Sequence, residues 1–568
     1  MPIPFPFAFE QSPAPLAAAP LARVPRAAAT VWGLALWLAL AGNLPLWQRI
    51  HGLGGPLIHR AALVAGLGTL LTGAIAALLW LLAWPRVFRP VASALLLVAG
   101  ANTYFMWRYG VVMDPTMLAN ALHTDTREVR DLMSWALLCA VLFVAGPPLW
   151  VLWRRPPLLR GGWRRAGRNA TGVLAALALL VLAALSNFQG LASLMRNHKD
   201  LRYMANPLNS VYAAARVAAD RLPRQAHPLL PVGDDATLGA SYARQARPPL
   251  LLLVIGETAR AQNFGLDGYA RNTTPALARW HSRGELVNFS QVRSCGTNTL
   301  VSVPCLFSPL ARAQGGDQPA DRENLLDVLQ RAGLAVLWID NQAGCKGVCD
   351  RVLHAYTNDR PVPALCPGGE CLDEALLDGL DARLDALDPA RRARGVVLVM
   401  HQMGSHGPAY ASRSPDGAKP FLPECRSNAL PECSHEELVN AYDNSIAYTD
   451  RFLDQTLRWL RARAEQGRND TGLVYVSDHG ESLGENGLYL HGLPYALAPE
   501  QQTHVPMVAW FSPGLRARSG LSMDCLRARS AEPLSHDHFF HTVLGLMDVN
   551  TRARQPSLDA LAPCAAAG

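Results

Sequence analysis

The sequence predicts an α-helical membrane domain with five spans, followed by a soluble α/β domain whose mostly parallel sheet is sandwiched by helices. Two observations lead to this prediction. Five long apolar runs, nearly free of charge, stand before residue 200, and a bilayer span requires about 20 such residues. Beyond residue 249, short apolar runs alternate with periodic helical stretches, which is typical of a parallel sheet covered on both faces.

The five apolar runs are interpreted as transmembrane spans. One such run could be a buried core helix, but five in succession favour a membrane domain. They cover Ala27–Gln48, Ala61–Pro85, Pro90–Trp107, Leu132–Trp153 and Asn169–Met195. Arginines stand before the first run and between the second and third, and six lie within Arg154–Arg168, between the fourth and fifth. The positive-inside rule therefore predicts a cytoplasmic N-terminus and a soluble domain on the external side.

Charge and cysteine content agree with this arrangement. The net charge of +7 owes much to the cytoplasmic arginines, so it does not indicate nucleic-acid binding. Ten of the eleven cysteines follow the last span, and several stand in close pairs. Such pairs predict small disulfide loops in an oxidising compartment. The alternative is a four-cysteine zinc site made by Cys345, Cys349, Cys366 and Cys371.

The chain divides into four predicted segments. Residues 1–26 form a cytoplasmic tail, 27–200 the membrane domain, 201–248 a bridging segment along the membrane surface, and 249–568 the catalytic domain. No short hydrophobic stretch with a cleavage site stands first, so we expect no cleaved signal peptide.

An external segment between the third and fourth spans, residues 109–131, carries a polar stripe. An Asp-Pro pair at 114–115 predicts a helix start. Asn120, Thr124 and Glu128 recur every fourth residue, which would place them on one helical face. Such a stripe is either simply solvated, or it holds the cationic head of a lipid with Glu128 as the counter-charge.

The stretch Val474–Gly492 is the first candidate for chemistry. A buried β-branched run ends there, and Asp478 and His479 follow at once, where open α/β sheets bind their ligands. Glu257 follows another buried strand and would meet them at the same edge. Two carboxylates and an imidazole suit zinc with an open position for substrate, and manganese is the next candidate. The alternative is a surface loop with ordinary histidines.

The loop SCGTNTLVSVPCLFS at 294–308 displays two threonines. Cys295 and Cys305 could close it, leaving Thr297 and Thr299 near a helix N-terminus that favours phosphate. A threonine hydroxyl is a weak nucleophile until a metal or base lowers its pKa. Thr299 taken alone is an ordinary surface residue, so its role depends on the metal candidates nearby.

Other candidates follow further strands of the predicted sheet. His401 and His406 come after a third strand, and Lys346 comes after a fourth. His491 follows the Gly-rich loop behind His479. Single histidines are more often structural than functional, but these share an edge with the metal candidates. The simplest interpretation of these histidines and Lys346 is a site that binds an anion.

The soluble domain contains five sequence motifs that together resemble those of a known protein family. They read GETAR at Gly256–Arg260, CGTNTLVSVPC at Cys295–Cys305, GCKGVCDRV at Gly344–Val352, GSHGPAY at Gly404–Tyr410 and SDHGESLGENGLYLHG at Ser477–Gly492. Together with the preceding spans they resemble the membrane phosphoethanolamine transferases. That group belongs to the alkaline phosphatase/sulfatase superfamily and includes the mobile colistin-resistance enzymes. The motifs are specific for the family and less specific for the acceptor.

The resemblance implies roles for the candidate residues. It implies a main zinc ion bound by Glu257, Thr299, Asp478 and His479, with Thr299 as the nucleophile. It also implies catalytic or substrate-binding roles, or contact with a second zinc, at His406 and His491, and further substrate contacts at Lys346, Asn120, Thr124 and Glu128. The position of His401 after a strand at the same edge adds it to the predicted substrate-binding residues. Ala343 stands where some relatives have serine, so we expect one hydrogen bond to the head group to be absent. Asn298 is unusual in its motif and is expected to face away from the metal.

The implied reaction is zinc-dependent transfer of phosphoethanolamine from phosphatidylethanolamine to a lipid A phosphate through a covalent intermediate on threonine. It would occur at the bacterial inner membrane, with the catalytic domain in the periplasm and the protein acting as a monomer. Lower surface charge would then weaken attraction of polymyxin. The alternative acceptor is a lipooligosaccharide core sugar or another periplasmic glycan. A phosphoglycerol transferase, a sulfatase and a catalytically silent sensor are less favoured.

Overall fold

The structure, a computed structural model, describes residues 26–53, 57–123, 126–155, 157, 159, 161–221, 229–317 and 321–565. The predicted cytoplasmic tail up to residue 25, and Thr124 of the predicted polar stripe, lie outside the described residues. The described chain begins with a helical membrane part and continues into a mixed α/β part.

Ten α-helices lie in the described part of the chain before residue 222. They are α1 Arg26–Leu40, α2 Leu44–Gly52, α3 Leu57–Leu81, α4 Phe88–Tyr109, α5 Pro115–His123, α6 Thr126–Leu132, α7 Trp135–Arg154, α8 Trp163–Ser186, α9 Phe188–Asn197 and α10 Leu208–Arg221. Five segments are long and apolar enough to cross a bilayer, namely Ala27–Gly52, Arg60–Leu81, Phe88–Tyr109, Trp135–Arg154 and Trp163–Ser186. The prediction of five spans is confirmed.

The fifth predicted span, Asn169–Met195, was wrong at both ends, because α8 begins at Trp163 and ends at Ser186. At its start, Arg165 is buried and donates from Nε to the Ala83 carbonyl oxygen at 2.7 Å. A long arginine side chain can therefore lie within the span when its charged end finds a partner. At the other end, a turn at Asn187 separates α8 from α9.

The external segment between the third and fourth spans is helical on both sides of residues 124–125, which lie outside the described part of the chain, so the shared face of the polar stripe stays a prediction. Helix α5 begins at Pro115 as expected, and Asp114 caps it by accepting the Met117 N–H at 2.8 Å. It ends at His123, and α6 begins at Thr126.

The described α/β part contains twelve strands, eight of which form a central sheet. Its strands are β1 Thr237–Leu238, β2 Pro249–Gly256, β3 Leu286–Arg293, β4 Ala335–Asp340, β5 Leu353–Tyr356, β6 Val396–His401, β7 Asp470–Ser477, β8 Ser482–Leu483, β9 Tyr489–Leu490, β10 His504–Phe511, β11 Leu534–Ser535 and β12 Val549–Asn550. The sheet order is β11-β3-β10-β7-β2-β6-β4-β5, and the short pairs β1–β12 and β8–β9 lie outside it. Strand β10 runs antiparallel to both neighbours, whereas the other described pairings in the sheet are parallel.

Helices cover both faces of this sheet, as predicted. They are α11 Pro275–Ser282, α12 Thr299–Leu306, α13 Leu325–Arg331, α14 Leu380–Asp385, α15 Pro389–Arg394, α16 His435–Glu465, α17 Glu500–Thr503, α18 Pro513–Ser519, α19 Met523–Ala528 and α20 Phe539–Leu546. Leu251 and Leu253 of β2 face a core with α12, α13 and α20, whereas Leu250 and Leu252 face a core with α11, α14 and α16. Burial on both faces explains why β2 reads as a continuous apolar run.

The second of these cores extends into the membrane part of the chain. Tyr104 and Tyr109 of α4 are buried in the same apolar cluster as helix α16. The soluble domain is therefore packed directly against the end of a membrane span.

Five disulfides lie in the described residues, and four of them join cysteines 4 to 10 residues apart, whereas Cys525–Cys564 spans 39 residues. The pairs are Cys295–Cys305, Cys345–Cys349, Cys366–Cys371, Cys425–Cys433 and Cys525–Cys564. The prediction of small disulfide loops is confirmed. The alternative four-cysteine zinc site was wrong, since its four sulfur atoms are consumed in two disulfides.

Candidate metal site

Four strands deliver polar side chains to one edge of the sheet. In the register of the sheet, Gly256 lies opposite Ser477, so Glu257 and Asp478 follow β2 and β7 side by side. His401 at the end of β6 lies opposite Ile255 and Asp340. Because the carboxyl ends of parallel strands meet at one edge, residues far apart in sequence converge there.

Glu257, Asp478 and His479 form a cradle for a cation. Each offers one ligand atom, the three atoms lie within 4.8 Å of one another, and all three side chains are fully buried. His479 Nε2 lies 3.2 Å from Glu257 Oε1 and 3.4 Å from Asp478 Oδ2. The other ring nitrogen, Nδ1, lies 3.0 Å from the Gly480 carbonyl oxygen, and this contact orients Nε2 towards the carboxylates.

Thr299 completes this arrangement as the first residue of α12. Its Oγ1 donates towards both carboxylate oxygens of Glu257, at 3.2 and 3.1 Å. Asn298 caps the helix by accepting the Val301 N–H at 3.1 Å, so its amide serves the helix N-terminus. Thr297 is directed elsewhere, since its Oγ1 donates to the Leu493 carbonyl oxygen at 2.7 Å. Of the two threonines in the loop, Thr299 is the one that contacts the cradle.

Two supporting residues that the sequence analysis had not identified hold Glu257 from the opposite side. Gln342 donates from Nε2 to Glu257 Oε2 at 2.9 Å. Asp340 accepts the Gln342 N–H at 2.7 Å and lies 3.1 Å from His401 Nδ1. His401 Nε2 in turn lies 3.9 Å from Glu257 Oε2, and its ring is fully buried. Asp340 is the last residue of β4 and Gln342 follows it, so the rule that strand ends converge could have identified both.

The charges in the cradle perturb one another strongly. Burial and the neighbouring Glu257 carboxylate raise the pKa of Asp478 to about 6. Burial opposes a charge on His479, but the Asp478 and Glu257 carboxylates outweigh it and raise the pKa of His479 to about 10. Burial would likewise raise the pKa of Glu257, but contact with His479 outweighs it and holds that pKa below its usual range. Such opposed shifts concentrate at functional sites.

His406 and His491 lie beside the cradle. The His491 ring centroid is 4.4 Å from that of His479 and 5.3 Å from that of His406. His491 Nδ1 lies 3.0 Å from Glu481 Oε2, and Tyr410 donates its hydroxyl to the other oxygen of Glu481 at 2.8 Å. Burial lowers the pKa of His406 to about 3, so its imidazole is neutral at neutral pH.

The remaining predicted substrate residues surround this edge less closely. Lys346 follows β4 and folds back, with Nζ donating to the Ala343 carbonyl oxygen at 3.0 Å. Asn120 lies in α5. Thr124 lies outside the described residues, as does the side chain of Glu128 in α6.

A cavity, named here the Asn120 cavity, joins the membrane helices to the candidate site. It has an empty volume of about 770 Å³, counted out to open solvent. Its wall is formed by Asn102, Phe105, Met106, Val111, Met113, Met117, Asn120, Ala121, Leu132, Gly407, Pro408, Leu490 and His491. The wall is mostly apolar and contains both Asn120 and His491. The cavity therefore extends from the membrane helices to His491, which lies beside the cradle.

The donors of the cradle fit a divalent metal ion. Asp478 Oδ2 and His479 Nε2 are buried and have no hydrogen-bond partner within the described part of the chain. Buried polar atoms normally find a partner, and two unpaired atoms converging on one point are what an ion would satisfy. Two carboxylates, an imidazole and a hydroxyl are a ligand set that zinc accepts in catalytic sites.

The fold and the cradle together define a class of protein. The sheet has a metal cradle at its carboxyl edge, and a hydroxyl on a helix N-terminus lies beside that cradle. These features are those of the alkaline phosphatase/sulfatase superfamily. A family model described as sulfatase matches residues 249–549, and one described as phosphoethanolamine transferase EptA/EptB matches residues 71–222.

Known relatives extend over nearly the whole chain. Phosphoethanolamine transferase EptA of Salmonella typhimurium is 40% identical over 484 residues, which cover 84% of this chain and 85% of the relative. Phosphatidylethanolamine transferase Mcr-1 of Escherichia coli is 36% identical over 537 residues, covering 91% and 94%. The solved structure of the integral membrane protein lipooligosaccharide phosphoethanolamine transferase A of Neisseria meningitidis matches with a TM-score of 0.86 and 34% identity, covering 94% and 98%.

The chain belongs to the membrane phosphoethanolamine transferase family. It is an enzyme of the bacterial inner membrane with five spans and a periplasmic α/β domain. The family, fold, enzyme class and location predicted from the sequence are therefore confirmed.

Proposed function

We propose that this enzyme transfers phosphoethanolamine from phosphatidylethanolamine to a phosphate of lipid A, with Thr299 as the nucleophile and zinc as the metal. The observation that carries this proposal is the Asn120 cavity, whose wall contains Asn120 of the membrane part and His491 beside the cradle. An apolar cavity that leads from a membrane helix to a metal site suits a phospholipid donor.

Two displacements at phosphorus account for the reaction. In the first, the Thr299 oxygen bonds to the phosphorus of the donor, the bond from phosphorus to the glycerol oxygen breaks, and diacylglycerol leaves with a proton. In the second, an oxygen of the lipid A phosphate bonds to the same phosphorus, and the bond from Thr299 to phosphorus breaks. The threonine oxygen takes up the proton released by the attacking lipid A phosphate, which restores the hydroxyl.

Glu257, Thr299, Asp478 and His479 would hold the zinc ion. When bound, zinc would supply positive charge that lowers the pKa of the Thr299 hydroxyl and offsets charge on the phosphoryl oxygens. The chain itself orients the nucleophile, because Glu257 accepts from Thr299 Oγ1 at 3.1 Å. Gln342 and His401 would keep Glu257 in position, which favours a role for His401 through Glu257 rather than in direct contact with substrate.

His491 suits proton transfer better than His406. His491 Nδ1 lies 3.0 Å from Glu481 Oε2, and a carboxylate in this position orients an imidazole. His406 is neutral because burial lowers its pKa to about 3, so it suits acceptance of a hydrogen bond or a second metal ion. We therefore assign protonation of the leaving diacylglycerol to His491.

The donor head group would be bound by the membrane-side residues. Asn120 in the cavity wall, together with Thr124, Glu128 and Lys346, would surround the ethanolamine and its phosphate. Ala343 offers a carbonyl oxygen to Lys346 and no side-chain hydrogen bond to a head group. Residues 27–200, 201–248 and 249–568 would act as the membrane domain, the bridging segment and the catalytic domain of one monomer.

Thr299→Ala tests the proposal, with Thr297→Ala as the matched control from the same loop. Mass spectrometry of lipid A from polymyxin-sensitive cells should show a phosphoethanolamine gain with the native protein and with Thr297→Ala, and none with Thr299→Ala. The purified native protein should become labelled on Thr299 by phosphatidylethanolamine and should contain zinc. Labelling without any gain on lipid A would move the acceptor to a core sugar or another glycan. Labelling that persists in Thr299→Ala would refute the proposed nucleophile.

A further inference from the structure

A buried histidine, His536, is not used by the proposed reaction, yet it joins two segments of the candidate site. The Cys295 N–H donates to its Nδ1 at 3.2 Å, and its Nε2 lies 3.0 Å from the Ser477 carbonyl oxygen. Cys295 lies in the loop that leads to Thr299, named here the nucleophile loop and defined as residues 294–299. Ser477 is the last residue of β7, directly before the cradle residues that follow this strand. The ring therefore links the nucleophile loop to a strand that carries metal ligands.

Two neighbouring strands bring His536 and Cys295 together. Strand β11 pairs with β3 in parallel, and Ser535 at the end of β11 lies opposite Arg293 at the end of β3. His536 is the next residue after Ser535, and Cys295 follows two residues after Arg293. Because parallel strands deliver the residues that follow them to the same edge, this contact is a consequence of the sheet itself.

Ser477 depends on His536 because the neighbouring strand offers it no donor. Pairing of β10 with β7 ends at Met507, opposite Val476. The next residue of β10 towards this edge is Pro506, which has no N–H. Ser477 is fully buried, and a buried carbonyl oxygen without a partner costs free energy. His536 supplies the donor that β10 lacks.

These contacts fix the form of the imidazole ring. Nδ1 accepts from the Cys295 N–H, so the ring proton lies on Nε2, which donates to the Ser477 carbonyl oxygen. Burial lowers the pKa of His536 to about 3, so the ring is neutral at neutral pH. Both ring nitrogens are used within the chain, and neither is left for a metal ion or a substrate. His536 can therefore influence the reaction only through its two backbone partners.

The other hydrogen bonds that hold the start of the nucleophile loop lead to a different segment. Ser294 and Thr297 make hydrogen bonds of 2.7, 2.8 and 2.9 Å with Leu493, Thr503 and Tyr495. This segment, residues 493–503, carries no cradle residue. Among the hydrogen bonds from residues 294–297 within the described chain, the one to His536 provides the link to β7. Loss of His536 would therefore free the loop to shift relative to β7.

We propose that His536 is a positioning residue, which holds the nucleophile loop against β7 so that Thr299 meets the donor phosphorus. This inference rests on the proposed function, because it takes Thr299 as the nucleophile. A misplacement of about 1 Å in a reacting group can slow a reaction roughly a hundredfold. The cradle residues Glu257, Asp478 and His479 follow their own strands, and three protein ligands are usual for catalytic zinc. Loss of His536 should therefore slow the attack and leave zinc binding nearly unchanged.

Two substitutions each remove one half of this link. In His536→Asn, the side-chain oxygen takes the place of Nδ1 and still accepts from Cys295, but nothing reaches Ser477. In His536→Gln, the amide nitrogen takes the place of Nε2 and still donates to Ser477, but nothing accepts from Cys295. His541→Gln is the matched control, since His541 is also buried and its Nδ1 accepts the Gln555 N–H at 3.1 Å, away from the cradle.

Three measurements on the full-length protein test the assignment. Diacylglycerol release from phosphatidylethanolamine without acceptor reports the attack by Thr299, chelator competition gives the zinc affinity, and hydrogen exchange reports the Cys295 amide. Both His536 variants should lower the rate constant of release by about ten- to a hundredfold, with a nearly native KM for the donor and a nearly native zinc affinity. Exchange at Cys295 should be faster in His536→Gln and native-like in His536→Asn. His541→Gln should lower the melting temperature and leave all three measurements as in the native protein.

Three results would overturn the assignment. They are a native rate of diacylglycerol release in either His536 variant, a zinc affinity that falls as far as the rate does, and a loss of rate in His541→Gln as large as that in His536→Gln. If one His536 variant does not fold, the other decides the question, because each removes the link. Failure of the proposed function looks different, because Thr299→Ala would then release diacylglycerol as the native protein does, or the native protein would release none.

Discussion

The cradle and the Asn120 cavity meet at His491, yet they are built in different ways. Glu257, Asp478 and His479 follow buried strands directly, and their side chains are held by neighbours from the same sheet. The wall of the Asn120 cavity comes from α4, α5 and α6 of the membrane part and from strand β9 and the loop after β6 of the soluble domain.

This difference indicates how chemistry and substrate choice are divided in the molecule. A sheet edge places atoms within a few tenths of an ångström, which a metal site requires. An interface between domains is less rigid and leaves room for large amphiphiles. Changes at the cradle should therefore abolish the reaction, whereas changes at the interface should alter which lipids react and how well they bind.

The largest effect is expected from removal of a metal ligand, Asp478→Asn. It should lower transfer at least about a hundredfold, since both nucleophile activation and charge stabilisation depend on the metal. In the native protein, zinc at 100 times its Kd should raise the free energy of unfolding by about 2.7 kcal/mol, and this gain should vanish in the variant. Thermal unfolding with and without zinc measures it.

Asp450→Asn is the matched control for that experiment. Burial also raises the pKa of Asp450 to about 6, but its carboxylate accepts the N–H groups of Ala276 and Leu277 at 2.9 and 2.8 Å, away from the cradle. This variant should lose stability and keep its full response to zinc. A zinc response that survives in Asp478→Asn, or disappears in Asp450→Asn, would contradict the assignment of the cradle.

The cradle was largely predictable because strand ends are visible in sequence. The apolar runs before Glu257 and Asp478 identify buried strands, and parallel strands bring their carboxyl ends together. Thr299 required the family resemblance, since nothing in its spacing from Glu257 shows that the two side chains lie 3.1 Å apart. Gln342 was missed although it follows a strand of the same sheet.

The interface was much less predictable. The repeat of Asn120, Thr124 and Glu128 predicted one helical face, but it does not show which part of the soluble domain lies near Asn120. The Asn120 cavity depends on how two domains dock, and docking is set by surfaces such as Tyr109 and Leu488 that carry no periodic signal of their own. Glu481 was missed for a related reason, because only the fold brings Tyr410 and His491 to its two oxygens.

A second prediction concerns the pH dependence of zinc affinity, and its sign follows from the two raised pKa values. Zinc binds the deprotonated ligands, so each proton that it displaces weakens binding as the pH falls. The pKa of His479 is raised to about 10 and that of Asp478 to about 6. From these two groups, the logarithm of the affinity should fall by about one per pH unit from pH 8 to 6, and by about two per unit below pH 6.

Competition with a chelator of known proton affinity, measured from pH 5 to 8, gives these slopes directly. A pH-independent affinity between pH 6 and 8 would mean that His479 is already neutral before zinc binds. That result would refute the raised pKa of His479 and would leave the positions of the three cradle side chains unchanged.

A third, smaller effect is expected at the contact between the domains. The loop Cys425–Cys433, closed by a disulfide, reaches the membrane domain at three points. Glu432 Oε1 lies 2.9 Å from Arg108 NH2, the Asn428 carbonyl accepts from the Tyr109 hydroxyl at 3.2 Å, and Asn428 Nδ2 donates to the Asp131 carbonyl at 3.1 Å. This loop should keep the cradle at a fixed height above the bilayer.

The double variant Asn428→Ala/Glu432→Gln tests that function of the loop. It removes contacts worth about 1 kcal/mol in total, so transfer between lipids should fall roughly fivefold. Hydrolysis of a water-soluble phosphoethanolamine ester should not change, because the cradle itself is untouched. Glu436→Gln, an exposed acid at the start of α16, is the control and should leave both rates as they are. Equal losses in the two assays would show that the loop supports the soluble domain alone.

The smallest effect is expected from the helix that carries Asn120. Asp114 caps α5 by accepting the Met117 N–H at 2.8 Å and the Thr116 hydroxyl at 3.0 Å, and Met117 and Asn120 both line the Asn120 cavity. Asp114→Ala should cost about 1 kcal/mol of helix stability. The KM for phosphatidylethanolamine should rise by no more than about fivefold, with zinc affinity unchanged, since α5 contributes no ligand to the cradle.

Asp114→Asn separates the cap from the charge, because asparagine caps a helix as well as aspartate does. It should retain the native KM for the donor if α5 acts only by holding Asn120 in place. A rise in KM with Asp114→Asn equal to that with Asp114→Ala would mean that the negative charge itself attracts the ethanolammonium group. The donor site would then extend from Asn120 to the start of α5, and the interface would bind the lipid head by charge as well as by shape.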